Sequence, residues 1–399
     1  ITTLLEMCFA NVEGGIVANL DGFKEEDLIK VLFAENPGVV VQVSDEHKSE
    51  FKKILEDAGV AFVKIGTPTD ERHILVEKDG ATYQFGVDYL RDMWYSTSYL
   101  LDTKQSFNGC AKARFENYKK QPVEFALNKD FTGKLSQYGL NPDRREASGL
   151  KAAIIREKGT NGEREMAYML YLAGFDVKDV MMTDLITGRE TLEDINFIVF
   201  CGGFSNSDVL GSAKGWAGAF LFNPKAKAAL DKFYAREDTL SLGVCNGCQL
   251  MVELNLINPE HKKRAHMLHN NSHKFESNFL GLTVQTNRSV LLGSLSGNKL
   301  GIWVAHGEGK FSLPEGEDAY NVVLKYSYDE YPANPNGSDF SVAGICSADG
   351  RHLAMMPHLE RAFFPWQCGC YPSERKHDEV TPWIEAFVNA REWVKAHKK

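Results

Sequence analysis

The sequence predicts an α/β protein built on a mostly parallel sheet. Three observations carry that expectation. From Lys151 onward, short apolar, β-branched runs alternate with segments of helical periodicity. That order makes a parallel sheet with right-handed crossovers. Two of the runs end in glycine-rich turns, at Gly202-Gly203 and around Cys245, and ligands gather at the carboxyl ends of such strands. The composition is also that of an ordinary globular chain: 43% hydrophobic, 25% charged, with 34 Gly and 13 Pro in 399 residues. This excludes a disordered, collagen-like or low-complexity chain. The length suits two or three domains.

Charge and cysteine content narrow the class further. Lys and Arg total 45 against 54 Asp and Glu, a net charge of −9, so no nucleic-acid partner is expected. The longest apolar run, 196–204 (NFIVFCGGF), falls short of the ~18 residues of a membrane span, so no membrane partner is expected either. Eight cysteines in 399 residues are too sparse for a disulfide scaffold, which favours a reducing, cytoplasmic setting. No charged segment followed by an apolar stretch marks a secretory signal at the start. The chain opens at Ile1 inside a helical pattern, and the expectation is the C-terminal piece of a longer polypeptide.

In chain order, residues 1–107 read as one α/β unit. Segment 38–43 (GVVVQV) has strand character, and Asp45 precedes a helical stretch with Phe51, Ile54 and Leu55. Segment 61–65 is apolar and strand-like. Runs 72–78 and 81–85 flank Asp79-Gly80, a hairpin signal. Segment 87–103 is a long helix, with Leu90, Met93, Trp94, Thr97, Leu100 and Leu101 on a face expected to pack in a core. Residues 108–150 have weak periodicity and read as a linker lying on another surface, with room for a short helix within 108–120.

The domain 151–399 follows. Strands are expected at 151–156, 175–181, 195–201 and 240–244, and helices at 161–174, 224–235 and 246–254. Pro224 starts its helix, where a missing N–H costs nothing. Further strands are expected at 282–287, 301–306, 322–328, 340–347 and 352–356. A closing helix at 380–397 carries Trp383, Phe387, Ala390 and Val394 on its inner face.

Gly243-Val244-Cys245-Asn246-Gly247-Cys248-Gln249 is the strongest chemical signal. It lies where a buried strand gives way to a helix. A nucleophile there stands on a sharp turn, and glycines at −2 and +2 let the backbone fold tightly around it. The helix N-terminus favours the thiolate, and the Asn246 N–H is aimed at a developing oxyanion. A redox or zinc-binding C-x-x-C is the competing reading, and Cys368 and Cys370 would be the further ligands. Cys248 reads as a buried small hydrophobe.

His358 and Glu360, two apart after the last strand, suit a base and the acceptor that orients it. The strand end Cys201-Gly202-Gly203-Phe204 suits a second oxyanion donor, from Gly203 or Phe204. His306-Gly307-Glu308-Gly309-Lys310 could be a metal ligand pair, a structural turn or a substrate-side loop; the last is favoured, with its backbone doing most of the work.

Strand-GG, G-x-C-x-G-x-Q and H-x-E, in that order, resemble the triad glutamine amidotransferases. The segments GGFSNSDVLG (202–211), GVCNGCQ (243–249), NNSHKFE (270–276), HGEGKF (306–311), YPANPNGS (331–338) and MMPHLER (355–361) are similar to one branch. That branch is the large single-chain phosphoribosylformylglycinamidine synthase family. The resemblance is dense over 150–399 and thinner before it, where LLEMCFAN (4–11) and the aromatic helix resemble the C-terminal half of an aminoimidazole ribonucleotide synthetase. It implies a flavodoxin-like glutaminase domain preceded by a partial α/β domain. It further implies Cys245 as nucleophile, His358 as base and Glu360 as its partner, with Gly203, Phe204, Asn246 and Gln249 lining the glutamine and oxyanion site. No cofactor or metal is implied in this chain. ATP and Mg2+ would belong to N-terminal synthase domains of the same polypeptide, which would be its partner alongside glutamine. One departure stands out: Asn206-Ser207 replaces the family's usual Tyr-Gly. A cysteine peptidase on a related sheet, and a catalytically silent docking module, remain as competing readings.

Overall fold

The computed structural model describes residues 1–10, 12–120 and 123–398. Asn11 of the LLEMCFAN segment, Gln121 and Pro122 of the expected linker, and Lys399 lie outside the described residues. The chain divides into two compact units, Ile1–Lys104 and Gln105–Lys399.

The first unit holds a four-stranded sheet in the order Gly66–Thr69, Gly15–Asn19, His73–Lys78, Ala81–Gly86. Gly15–Asn19 runs parallel to His73–Lys78. Asp79 and Gly80 join the last two strands with φ of 49° and 77°, the left-handed pair that matches strand twist in a two-residue hairpin. His73–Lys78 alternates buried and half-buried residues, as a one-sided strand should.

Three expectations for this unit are corrected. Segments 38–43 and 61–65 are not strands. Val39 is 88% exposed and Val41 54% exposed, so their β-branched character meets no partner surface. Strand preference is largely a preference for such a surface. The helix Val87–Asp102 forms, but its apolar face is not core: Met93, Trp94, Thr97, Leu100 and Leu101 are exposed. Among the described residues, the buried core of this unit is eight residues, including Leu4, Ile74 and Val76, and from that face only Leu90 packs partly against it.

The second unit is organised by one nine-stranded sheet. Its order is Lys299–His306, Glu276–Val284, Asn321–Tyr326, Val342–Cys346, His352–Met355, Leu240–Val244, Phe197–Phe200, Lys151–Arg156, Asp176–Met181. The last five strands are mutually parallel, and the first four extend the sheet in antiparallel fashion. Phe197–Phe200 and Leu240–Val244 are buried at every position, which is why they read as continuous apolar runs rather than alternating ones. Helices Glu163–Ala173, Pro224–Ala235 and Ile384–His397 cover the parallel strands with Met169, Leu170, Leu230, Phe233 and Phe387. Asn223 caps the second of these, its Oδ1 accepting the Ala226 N–H at 3.0 Å just before Pro224. Trp216, Trp383, Phe175, Phe197 and Phe200 are fully buried, each worth roughly 1.5–3 kcal/mol of apolar transfer.

The described part of residues 108–150 carries the helix Cys110–Asn117. Ala126 bridges to Lys299, and Phe131, Leu140 and Leu150 are buried. Topology places the site. The strands ending at Phe200, Val244 and Met355 are parallel neighbours, so the chain segments that follow them emerge at one end of the sheet.

Candidate active site

Cys245 follows the strand Leu240–Val244 and precedes the helix Asn246–Glu253. Its φ of 53° and ψ of −106° form a conformation that side chains rarely adopt. The flanking glycines make the turn possible. A Cβ on Gly243 would lie 2.5 Å from the Gly247 carbonyl oxygen, and one on Gly247 would lie 2.1 Å from that of Phe200. The elbow therefore rests directly on backbone. Asn246 is the first helical residue, where no intrahelical acceptor exists for its N–H.

His358 comes to the same place by a different route. After Met355 the chain leaves the sheet, and His358 pairs with Trp303, its N–H donating to the Trp303 carbonyl at 2.9 Å. His358 is extended, whereas Glu360 lies in the short 3-10 turn Leu359–Arg361 rather than on the same extended segment. The His358 Nδ1–H still donates to Glu360 Oε1 at 2.6 Å, with both residues buried. Gly202 leaves room for the ring: a Cβ there would lie 2.9 Å from His358 Cε1 and 3.4 Å from the Cys245 Cβ.

The electrostatics follow from this enclosure. Burial pushes the Cys245 thiol up, but the His358 charge beside it and hydrogen bonding from His306 and His358 bring it down to about 6. Burial pushes His358 down, while Glu360 and the Cys245 sulfur lift it to about 9. Burial pushes Glu360 up, and the His358 charge outweighs it, leaving the carboxyl below its ordinary range. These shifts favour a buried thiolate–imidazolium pair backed by a carboxylate. Cys248, fully buried and beside the sulfur, is instead pushed well above the usual thiol range by burial. That matches the small-hydrophobe reading of this residue.

The other expected site residues divide between lining and bracing. Phe204 donates its N–H to the Gly159 carbonyl at 2.9 Å, which leaves Gly203 as the candidate for a second oxyanion donor. Gly203 sits opposite Thr160 in the same two-residue ladder, one position from that bond, so its N–H points away from the partner strand. Its φ of 115° and the nearness of the Gly159 carbonyl oxygen, 2.6 Å from a built Cβ, exclude a side chain. Asn246 and Gln249 spend their side chains internally. Asn246 Oδ1 accepts the Ser205 N–H at 3.2 Å, and its Nδ2 donates to Gln249 Oε1 at 3.0 Å. Gln249 Nε2 donates to the Glu308 carbonyl at 2.7 Å. Together they tie the loops after Gly203 and His306 to the elbow helix.

Sequence reading favoured a backbone role for the His306–Lys310 turn and passed over the residues that hold the His306 side chain. Asn270 Nδ2 donates to the His306 carbonyl at 2.7 Å, and Asn270 Oδ1 accepts the Gly309 N–H at 2.9 Å. Asn336 Oδ1 meets His306 Nε2 at 2.9 Å, and Ser338 Oγ accepts the Phe311 N–H at 3.1 Å. For the residues behind His306, a signal lay in the Asn and Ser of segments 270–276 and 331–338, of which Asn270, Ser272, Asn334, Asn336 and Ser338 are buried here. Cys368 and Cys370 are not drawn into the site; both thiols are pushed up by burial.

A three-layer α/β sheet with a cysteine elbow and a buried His–Glu pair at its carboxyl end defines a glutamine amidotransferase type of domain. The family described as the CobB/CobQ-like glutamine amidotransferase domain matches residues 149–394, and the chain belongs to that family. It is 37% identical over 426 residues to the probable chloroplastic/mitochondrial phosphoribosylformylglycinamidine synthase of Arabidopsis thaliana, covering 99% of this chain and 29% of that protein. It is 38% identical over 425 residues to the phosphoribosylformylglycinamidine synthase of Homo sapiens, covering 99% of this chain and 31% of that protein. The chain thus spans about three-tenths of these relatives. Among solved structures, PurLQS of Thermotoga maritima aligns with a TM-score of 0.47 at 26% identity, over 62% of this chain and 99% of that one.

Proposed function

We propose that this chain is the glutaminase portion of a phosphoribosylformylglycinamidine synthase. The observation that carries the reading is Cys245 on a strained elbow against the buried His358–Glu360 pair. The Cys245 thiolate attacks the carboxamide carbon of glutamine. The Asn246 N–H and the Gly203 N–H receive the oxyanion, and Phe204 and the braced Gln249 line the pocket. His358 Nε2–H gives its proton to the departing nitrogen, and ammonia leaves behind a glutamyl thioester. His358, now neutral, takes a proton from water, whose oxygen attacks the thioester carbon, and glutamate and the Cys245 thiolate are restored. Glu360 holds the His358 tautomer and balances the imidazolium charge.

In the parent enzyme the ammonia would enter an ATP-dependent conversion of formylglycinamide ribonucleotide to formylglycinamidine ribonucleotide. ATP and Mg2+ would be held by further domains of the same polypeptide, in the cytoplasm. Residues 1–107 would be the end of a synthetase-like domain, 108–150 a connecting segment and 151–399 the glutaminase. A glutamine-mimicking electrophile tests the reading. It should label Cys245 ahead of the other seven thiols, and Cys245→Ala should abolish both labelling and glutamine hydrolysis. Preferential labelling of Cys368 or Cys370 in the folded protein overturns it. Cleavage of peptides in place of free glutamine would favour the peptidase reading.

A further inference from the structure

Glu276 opens the strand Glu276–Val284, opposite His306 in the ladder, and is 5% exposed. A carboxylate so buried is costly unless hydrogen bonds and an opposite charge reach it. Both reach it here. The Tyr331 hydroxyl lies 3.1 and 3.2 Å from its two oxygens, and the Ser272 hydroxyl donates to Oε1. The charge comes from Arg114 of the helix Cys110–Asn117. Its guanidinium donates to Glu276 Oε2 at 3.2 Å and sits over the Tyr331 ring, 5.0 Å from the centroid.

The same stretch of chain grips the neighbouring backbone. The Phe107 N–H donates to the Ser272 carbonyl at 3.1 Å, and Asn108 Nδ2 to that of Asn271 at 2.7 Å. Asn117 Nδ2 donates to the Tyr331 carbonyl at 2.9 Å. On its other side, the loop 270–275 holds the turn beside the elbow helix. Asn270, fully buried, donates its N–H to the Gly307 carbonyl at 2.9 Å and accepts the Gly309 N–H on Oδ1 at 2.9 Å. Between these anchors lies Glu308, whose carbonyl receives the Gln249 side chain at 2.7 Å. A Gly-Glu-Gly turn has little conformational preference of its own, so those outside bonds decide where it lies.

We propose that Glu276, charge-balanced by Arg114, is a positioning residue for glutamine binding. It sets the loop 270–275, and Asn270 on that loop sets the turn 307–309 against Gln249. The segment 107–117 then shapes the pocket as well as connecting domains. The inference rests on the reading of Cys245 as a glutaminase nucleophile whose pocket Gln249 lines. Neither Glu276 nor Arg114 acts on the reacting atoms, so binding should change and chemistry should not.

The test is labelling of Cys245 on this chain by a diazo ketone analogue of glutamine, followed by peptide mass spectrometry over a range of concentrations. The half-saturating concentration reports the pocket, and the limiting rate reports the thiolate. Iodoacetamide, which needs no pocket, is run beside it. Arg114→Met leaves the carboxylate without its guanidinium and should raise the half-saturating concentration about tenfold, with both rates held within about twofold. Arg114→Lys keeps the charge and should restore most of the affinity. Glu276→Gln keeps the size and an acceptor for both hydroxyls; it should weaken binding less, and it guards against misfolding of the methionine variant. The Arg114→Met, Glu276→Gln double variant should bind better than Arg114→Met alone, because the carboxylate left unbalanced by the first change is gone. A helix that only stabilised the fold would give neither this split nor this coupling. Half-saturating concentrations that stay in place in Arg114→Met and Glu276→Gln, or limiting rates that fall instead, overturn this inference alone. Parent labelling that does not saturate, or that free glutamine does not block, overturns it together with the reading it rests on.

Discussion

Cys245 illustrates how a single residue can be both strained and stable. Its left-handed φ of 53° costs on the order of 1–3 kcal/mol, and burial alone would keep its thiol neutral. The strand below, the helix behind and two imidazoles beside it offset both penalties. The kinetic expectation follows from who touches the reacting atoms. His358→Ala should slow glutamine hydrolysis by about a thousandfold or more, because no group remains to protonate the nitrogen. Glu360→Gln should cost less than His358→Ala, since an amide can still hold the ring but carries no charge. Steady-state rates on the two variants decide this. Equal and negligible losses would make the His–Glu pair structural.

The loop 205–208 shows the same economy at the scale of an element. Asn206, Ser207 and Asp208 all have positive φ, of 52°, 56° and 51°. Asparagine tolerates that region, but serine pays for it. The resemblance has glycine at 207, and the backbone here explains why glycine suits the position. Ser207→Gly should therefore stabilise the protein by up to about 1 kcal/mol, the relief of strain outweighing the added chain entropy. Chemical denaturation measures it, and a destabilised variant would show that the serine side chain is used.

A second element-scale expectation comes from the paired strands Leu240–Val244 and His352–Met355. His352 Nδ1 lies 2.9 Å from Ser241 Oγ, which also meets the Tyr234 hydroxyl at 2.9 Å. Burial, and then the Arg351 charge, push His352 down to about 4. The unfolded chain takes up that proton near pH 6.5 and the folded one only near 4. Stability from this group is thus complete above 6.5 and falls as the pH drops towards 4, by on the order of 3 kcal/mol. His352→Asn should flatten the loss across that window. An unchanged slope would place the acid sensitivity elsewhere.

For the whole molecule, the relevant fact is that the chain spans about three-tenths of its curated relatives. Glutamine hydrolysis needs only groups found at one end of one sheet. Ligation needs bound ATP phosphates and metal ions as well, and the resemblance assigns those to other domains. The purified chain, given ATP, magnesium, ammonia and formylglycinamide ribonucleotide, should form no product. ATP-dependent turnover would show that the first unit carries a working phosphate site.

How much of this was legible beforehand depended on the range of the interaction. The strand, helix and turn at 240–254 were readable because periodicity, glycine placement and helix-end signals are local, and the elbow they build is local too. Phe204 failed as a donor because its N–H belongs to a ladder with Gly159, a partner that composition does not announce. The valines at 38–43 failed as a strand because β-branched residues need a surface to pair with. The aromatic face of Val87–Asp102 read as core because periodicity reports amphipathicity and not what lies opposite. His306 could be seen as a motif residue, but its ring's pairing with Asn336, 30 positions away, arises only when the fold brings the two together. The sequence by itself determined which residues could do the chemistry and on what turn the nucleophile would stand. Only the tertiary structure decided which N–H groups remained free, which side chain met the His306 ring and how burial was balanced by charge. Those outcomes depend on distances between segments remote in the chain, and such distances exist only once the sheet has formed.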